Sequence, residues 1–451
     1  MQDIVFSFDL TTLTFLFFAV FAIYFILLRK QIFLWFDPLL IFIFFNSVSI
    51  AFVIYLYFFE HSIKLEYFLS FMSCIIAFIA GIALGGRRGL PNFSEVKRAN
   101  TIGSSYNYAL LVDVFMVICL LIMLISNLLM LLVKGSLPIF SANPSEAKIL
   151  LYTGGWGIVK RINFALLNFV LAIPLIKMFH PSIKLKFKQK SFYVICLLLC
   201  VMIMVTMGSK SSLLIMLNLL FAIALVNKSF GILIVDKLKT NFNKAIISKW
   251  AKYSLIIALS FMLTIIVLSG VETSSLDSVI TRLVASGDAF YFFYVFDIYS
   301  DFNHSAIDYI PHILNPFLAM IRATDYEFAI GAYIINYSIG LPLDALSTFG
   351  PNAQHPLEGL IYFGKYGAPF YSFSVGYIIS YIRIGFLRRM GPYPNNFILV
   401  IYVVLSSMII TAATDVPLFM QVFYDVVIYG VIVLIVSILI SEVLNKGRRY
   451  V

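Results

Sequence analysis

The chain has 451 residues, of which 61% are hydrophobic and only 12% are charged, and its formal net charge is +10. Soluble domains are usually about half apolar and about a quarter charged, so this composition excludes an ordinary soluble fold and favours a membrane protein. We interpret the positive charge as lysine and arginine of cytoplasmic loops, where membrane proteins concentrate them, and expect no nucleic-acid partner.

Apolar runs long enough to span a bilayer recur along the whole chain, since a spanning helix needs roughly 20 apolar residues. They cover residues 10–28, 38–59, 67–85, 108–133, 162–180, 191–208, 211–227, 253–270, 358–382, 397–414 and 419–441. We read the first run as a retained helix, not as a signal peptide. All four cysteines fall inside these runs, so no disulfide is expected. The predicted fold is an all-α polytopic membrane protein with about eleven transmembrane helices in one transmembrane domain, residues 1–451.

The distribution of charge predicts the orientation. With the N-terminus outside, 23 of the 32 basic residues lie on the cytoplasmic side and 16 of the 22 acidic residues lie outside. The C-terminus is then cytoplasmic. This pattern predicts a multi-pass protein of the inner-membrane type.

Two external segments are long, residues 134–161 and residues 271–357. The second carries ten acidic residues if Glu358 is counted, together with three of the five histidines and many tyrosines. Apolar residues at helical spacing between Leu276 and Val284 predict an amphipathic helix on the membrane surface. Any chemistry is therefore expected on the outer face.

Basic residues near two predicted helix starts are candidate anion-binding groups. Lys160 and Arg161 follow a glycine-rich stretch that opens the fifth helix, and a helix N-terminus with free N–H groups attracts anions. The alternative is a basic interfacial anchor. Lys210 lies in the hairpin Gly208-Ser209-Lys210, where an ordinary serine N-cap is the alternative.

The large segment supplies further candidates. Arg282 and Arg322 are its only basic residues, and each is either an ion-pair partner or a clamp for phosphate and sugar. Asp288 is a proton acceptor or a polar turn residue. His355 and Glu358 lie three residues apart where the ninth helix opens, which predicts an acid/base pair facing one ligand. The acids in or near predicted spans, Asp113, Asp415 and Asp425, are functional candidates by position.

Three stretches resemble a known family. They are Gly135-Ser136-Leu137-Pro138-Ile139-Phe140-Ser141, Gly208-Ser209-Lys210-Ser211, and the run from His355 to Gly367 with Gly376 further on. Together with the predicted topology, they resemble the O-antigen polymerase (Wzy-type) family. Members often carry an arginine followed by a glycine at a fixed distance in both periplasmic loops; Arg322 has Gly331 nine residues on, whereas Arg161 has no such glycine.

The resemblance implies a metal-independent, cofactor-free membrane glycosyltransferase of the GT-C-like class that joins repeat units carried on undecaprenyl pyrophosphate. Arg161, Lys160, Lys210, Arg282 and Arg322 would then bind the pyrophosphate, and His355, Glu358 or Asp288 would take the proton. The predicted sugar contacts are Tyr291, Tyr294, Tyr333 and Tyr337. Membrane lipid and a chain-length regulator are the expected partners. An O-antigen ligase and a repeat-unit flippase are the alternative functions.

Overall fold

The computed structural model describes residues 9–93, 106–135, 157–180, 183, 185–206, 210–232, 286–343, 350–391 and 396–449. These residues form helices and irregular connections, with no strand among them. In chain order the helices are α1 (Leu10–Leu28), α2 (Pro38–Phe58), α3 (Leu65–Gly85), α4 (Tyr106–Lys134), α5 (Gly157–Phe179), α6 (Phe187–Thr206), α7 (Lys210–Ser229), α8 (Asp288–Val295), α9 (Tyr309–Met320), α10 (Ile330–Ile339), α11 (His355–Ser380), α12 (Phe386–Met390), α13 (Asn396–Met408) and α14 (Val416–Arg449).

Eight segments of the described chain are long and apolar enough to cross a membrane. They are Leu10–Gln31, Pro38–Phe58, Leu65–Gly85, Leu110–Lys134, Gly157–Phe179, Phe187–Met204, His355–Met390 and Val416–Asn445. Two shorter apolar helices, Leu214–Ser229 and Phe397–Ala413, coincide with two further predicted spans. The predicted span 253–270 and the predicted amphipathic helix after Leu276 lie outside the described residues. The architecture is that of a polytopic, all-helical membrane protein.

The chain divides into two compact units. The first comprises Met1–Gly89, Thr273–Tyr381 and Ile410–Met420, and the second comprises Leu90–Glu272, Ile382–Ile409 and Gln421–Val451.

The first unit is built around the contact between α3 and the later part of α11. Gly81 and Gly85 form a Gly-x-x-x-Gly pair on α3, a spacing that lets membrane helices approach closely. A Cβ atom at position 81 would lie 2.2 Å from the Phe373 carbonyl oxygen, and one at Gly376 would lie 2.4 Å from that of Phe78. Because the two backbones touch, no larger side chain fits between them.

We expect Gly81→Leu to destabilise the first unit, since over-packing a close helix contact costs about 1–3 kcal/mol or more. The measurement is the thermal unfolding midpoint of the purified protein in detergent. Gly157→Leu is the matched control, because a Cβ atom there meets no atom of the described residues within 4 Å. Equal midpoints for the two variants would contradict the close approach of α3 and α11.

Helix α11 is not one straight span, which makes the predicted continuous helix 358–382 wrong in this respect. Gly364 has φ 68° and ψ −179°, a conformation open essentially only to glycine. The imidazole Nδ1 of His355 lies 2.9 Å from the Ser372 hydroxyl, 17 residues away. In a continuous helix these residues would be about 25 Å apart. The chain therefore reverses at Gly364, and residues 355–363 (the first arm) pack antiparallel to residues 365–380 (the second arm).

Contacts with α2 and α3 give the depth at which the first arm begins. These helices are antiparallel and joined by residues 59–64, so that Phe42 contacts Phe78, and Tyr57 stacks on Phe68 nearer the connection. We call this connected end the loop end. His355 stacks on Phe78 with ring centroids 4.3 Å apart. Phe78 follows Leu65 by thirteen residues, which places it about 20 Å from the loop end.

The first arm therefore begins deep inside the apolar thickness, since a hydrocarbon core is about 30 Å thick. It then runs back to the loop end, where Lys365 pairs with Glu66 at 2.6 Å. The predicted boundary at residue 357 between the external loop and the ninth helix stays a prediction.

Helix α8 has the same arrangement. The Ser286 carbonyl, just before it, accepts a hydrogen bond from Ser49 in the middle of α2. Phe290 then contacts Phe71, and Tyr294 stacks on Tyr67 one turn nearer the loop end. The connection that follows is fixed there, because Asp297 accepts hydrogen bonds from Lys64 and Tyr67. Two parts of the predicted large loop, α8 and the start of the first arm, thus pack against α2 and α3.

The second unit contains α4 to α7, α12, α13 and most of α14. Its buried Lys177 forms an ion pair of 3.0 Å with Asp113, which also accepts a hydrogen bond of 2.8 Å from the Tyr193 hydroxyl. Asn218 of α7 donates to the Ser407 carbonyl of α13. The acid that the sequence marked on α4 is therefore held by a charge and a hydroxyl from two neighbouring helices.

Candidate functional site

A polar cluster lies where the first arm and α8 begin. The Gln354 side-chain amide donates to the Ser286 carbonyl at 2.9 Å and to the Ser49 hydroxyl at 3.1 Å. Its carbonyl accepts from the Asn46 amide at 3.0 Å. Asn46 and Gln354 are 2% and 7% exposed. Unpaired polar groups are costly in lipid, so this mutual pairing is what stabilises two helix starts at such depth.

His355 lies next to this cluster and is fully buried. Its ring is held between Phe78 and the hydroxyl of Ser372, while its Nε2 atom has no hydrogen-bond partner among the described residues. A buried imidazole with one free nitrogen is the kind of group that exchanges a proton or binds a polar ligand.

Glu358, one turn further along the first arm, is 1% exposed. One carboxylate oxygen accepts a hydrogen bond from the Tyr371 hydroxyl at 2.5 Å, and the other accepts from the Val416 backbone N–H at 3.3 Å. The carboxylate therefore lies at the N-terminus of α14, whose dipole favours a negative charge. Asp415, which caps this helix through the Leu418 N–H, lies near enough to interact electrostatically with Glu358.

Aromatic rings surround the path from Glu358 to the loop end. The Tyr371 hydroxyl lies 2.8 Å from that of Tyr309, the first residue of α9. Tyr309 is partly exposed and packs edge-on against Tyr362, Phe363 and Tyr371. The exposed ring of His304 lies 5.2 Å from that of Tyr362. Tyr309, Tyr362, Phe363, Tyr371, His304 and His312 form what we call the aromatic cluster.

His312 is the buried histidine of this cluster. Its Nδ1 atom lies 3.3 Å from Glu327, and burial lowers its pKa although the carboxylate acts in the opposite direction. Asn315 fixes the same loop, since it accepts from the Glu327 N–H and donates to the Asp325 carbonyl. His312 is thus a neutral imidazole near pH 7, and its Nε2 atom has no partner in the described part of the chain.

Three of the five predicted cationic residues, Lys160, Arg161 and Arg322, have described side chains. Arg161 belongs to the second unit, where its Nε atom donates to both oxygens of Asp425 at 2.8 and 3.1 Å. Lys160 is exposed, and Arg322 is exposed at the end of α9 with a left-handed φ of 59°. Lys210 begins α7, but its side chain is not among the described ones, and Arg282 lies outside the described residues.

The predicted sugar-contacting tyrosines differ in exposure. Tyr337 is 40% exposed, and Tyr333 of the same helix is half-buried. Tyr291 is half-buried against Phe52. Tyr294 is only 2% exposed and packs in the core against α3. Tyr333 and Tyr337 are therefore the members of this set best placed to touch a ligand.

Asp288 occupies the first position of α8, and its carboxylate accepts a hydrogen bond from the adjacent Ala289 N–H. Sequence reasoning found this acid, His355 and Glu358, but it missed four groups that organise them: Asn46, Ser49, Gln354 and Tyr371. A signal for two of these exists, because Asn46 and Ser49 are polar residues inside a mostly apolar span.

The depth of Gln354 can be tested by cross-linking. In a variant whose native cysteines are replaced by alanine, we expect Asn46→Cys and Gln354→Cys to be joined by a short bifunctional thiol reagent. The readout is gel mobility after cleavage at a protease site introduced between residues 233 and 252. Ser62→Cys, at the loop end, is the comparison partner. Preferential linkage of position 354 to position 62 would contradict the deep first arm.

Comparison with known proteins gives no relative: no protein-family profile, curated protein or solved structure matches the chain.

Proposed function

We propose that this chain is a membrane glycosyltransferase that polymerises oligosaccharide repeat units carried on undecaprenyl pyrophosphate, as its resemblance to O-antigen polymerases implies. The observation that carries the proposal is the buried Glu358 carboxylate, which hydrogen bonds through Tyr371 to Tyr309 in the aromatic cluster. A carboxylate linked to an aromatic surface is suited to taking a proton from a sugar hydroxyl.

The reaction transfers a growing chain from one lipid carrier to a hydroxyl group of a repeat unit on another. The new glycosidic bond forms at the anomeric carbon as the bond to pyrophosphate breaks, so undecaprenyl pyrophosphate leaves with its electron pair. The hydroxyl proton goes to the base. Cationic groups must stabilise the leaving pyrophosphate, and Arg161, Lys160, Lys210, Arg282 and Arg322 remain the predicted ones.

A repeat-unit flippase is the second candidate, and one observation favours it. Two short helices, α8 and the first arm, begin deep in the apolar thickness at a shared polar cluster. Discontinuous helices that meet near the bilayer midplane are how many transporters build their substrate sites. The two candidates differ in what accumulates when the protein is absent.

The test is the lipopolysaccharide pattern of a strain that lacks this protein, complemented with wild type or with His355→Ala. The proposed function predicts core carrying a single repeat unit in the deleted strain and a full ladder after wild-type complementation. Core with no unit at all would overturn the polymerase proposal and support the flippase or the ligase. A full ladder with His355→Ala would remove His355 from the mechanism and leave the function standing.

A further inference from the structure

We propose that Tyr309 is the residue that accepts the hydroxyl proton of the acceptor sugar, and that Tyr371 relays a proton from Tyr309 to Glu358. This inference rests on the proposed function and names the contact point of its base. Three oxygen atoms, those of Tyr309, Tyr371 and Glu358, form one continuous hydrogen-bonded chain with separations of 2.8 and 2.5 Å.

The carboxylate fixes the direction of these hydrogen bonds. A phenol has a single hydrogen atom to donate, and the Tyr371 hydroxyl donates its hydrogen to a carboxylate oxygen of Glu358 at 2.5 Å. Tyr371 therefore donates to Glu358, so its own oxygen accepts from Tyr309. The Tyr309 oxygen is then the outer end of this hydrogen-bonded chain, the end nearest the loop end. A sugar hydroxyl would donate its hydrogen bond there.

Exposure decides which of the three groups meets the sugar. Glu358 is 1% exposed, and both of its carboxylate oxygens already accept hydrogen bonds, one from Tyr371 and one from the Val416 N–H. A sugar hydroxyl would have to displace one of these bonds to reach it. Tyr309 is partly exposed at the first position of α9, and its ring contacts Tyr362, which the exposed His304 ring also contacts.

The proton transfer balances as follows in the forward direction. The sugar hydroxyl gives its proton to the Tyr309 oxygen, Tyr309 gives its own proton to Tyr371, and Tyr371 gives its proton to Glu358. The sugar oxygen uses its freed electron pair to form the glycosidic bond, and undecaprenyl pyrophosphate leaves. Both tyrosines end neutral, and Glu358 ends protonated until it releases the proton.

The experiment uses the purified full-length protein in proteoliposomes, with the lipid-linked repeat unit extracted from the strain that lacks it as the probe. We expect Tyr309→Phe and Tyr371→Phe each to lower kcat by about 100-fold or more, with little change in KM. Tyr24→Phe is the matched control, because it removes a buried hydroxyl that has no hydrogen-bond partner among the described residues. We expect it to match wild type.

A proton inventory gives a readout that a purely structural role would not change. In mixtures of H2O and D2O, several protons moving together make the wild-type rate depend on the deuterium fraction along a curve. In Tyr309→Phe the remaining activity should give a straight line. The thermal unfolding midpoints of the variants show whether a lost rate reflects lost folding.

The outcomes separate the two proposals. Wild-type protein that elongates nothing overturns the polymerase function and the relay with it. Active wild type together with Tyr309→Phe at the wild-type rate and with the same curved inventory overturns the relay alone. Loss in Tyr371→Phe but not in Tyr309→Phe would place the sugar at Tyr371 and likewise overturn the assignment of Tyr309.

Discussion

Replacing Glu358 with glutamine should abolish long polymer, with a fall in kcat of about 100- to 10,000-fold, the usual range for removal of a general base. Glutamine preserves the shape of the side chain, and its carbonyl oxygen can still accept from the Val416 N–H. Its amide group donates to Tyr371 instead of accepting from it, which reverses the hydrogen-bonded chain. The variant can hold the fold, but it cannot take a proton.

The measurement combines the lipopolysaccharide ladder with elongation by the purified protein. Glu60→Gln, which makes the same chemical change at an exposed position of the loop end, is the control. Glu358 has a competing structural role, because its carboxylate lies at the N-terminus of α14. A folded Glu358→Gln protein with a normal ladder would assign it that role only, and the polymerase mechanism would then need another base.

The eight long apolar helices of the described residues were predictable from the sequence because apolar length alone identifies a helix that can cross lipid. The reversal inside α11 was not. Apolar residues continue on both sides of Gly364, so the sequence predicts one uninterrupted helix over residues 358–382. A glycine in such a run is compatible with a helix, and only its positive φ distinguishes the hairpin.

Helix α8 escaped prediction for a related reason. Its eight residues are too few to span a membrane, so the sequence Asp288-Ala289-Phe290-Tyr291-Phe292-Phe293-Tyr294-Val295 was read as part of an aromatic loop. Short apolar runs do not reveal where they pack. Their position depends on long-range hydrogen bonds such as that between Ser49 and Ser286, 237 residues apart.

The sequence brings two of the candidate acid/base residues together because they are neighbours in the chain. His355 and Glu358 were found through their spacing, and both do face the second arm, at Ser372 and Tyr371. Tyr309 lies 62 residues from Tyr371. No local pattern links two tyrosines at such a separation, so the relay becomes visible only when the chain is folded.

In the second unit, Asp425→Ala should cost about 3–5 kcal/mol of stability, because it leaves a half-buried arginine without this carboxylate. The side chains of Arg161 and Asp425 are 17% and 4% exposed, so water replaces little of the lost interaction. The double variant Arg161→Met, Asp425→Leu should recover most of that loss, since two apolar side chains replace both charges. The measurement is the unfolding midpoint of each single variant and of the double variant.

The same double variant decides what Arg161 does. If Arg161 binds the pyrophosphate, the double variant regains stability but produces no ladder, because it lacks the cation. If the pair only joins α5 to α14, the double variant restores the ladder together with stability. Glu66→Ala serves as the control: it breaks the exposed pair with Lys365 and should cost at most about 1 kcal/mol, so a cost equal to that of Asp425→Ala would contradict the burial argument.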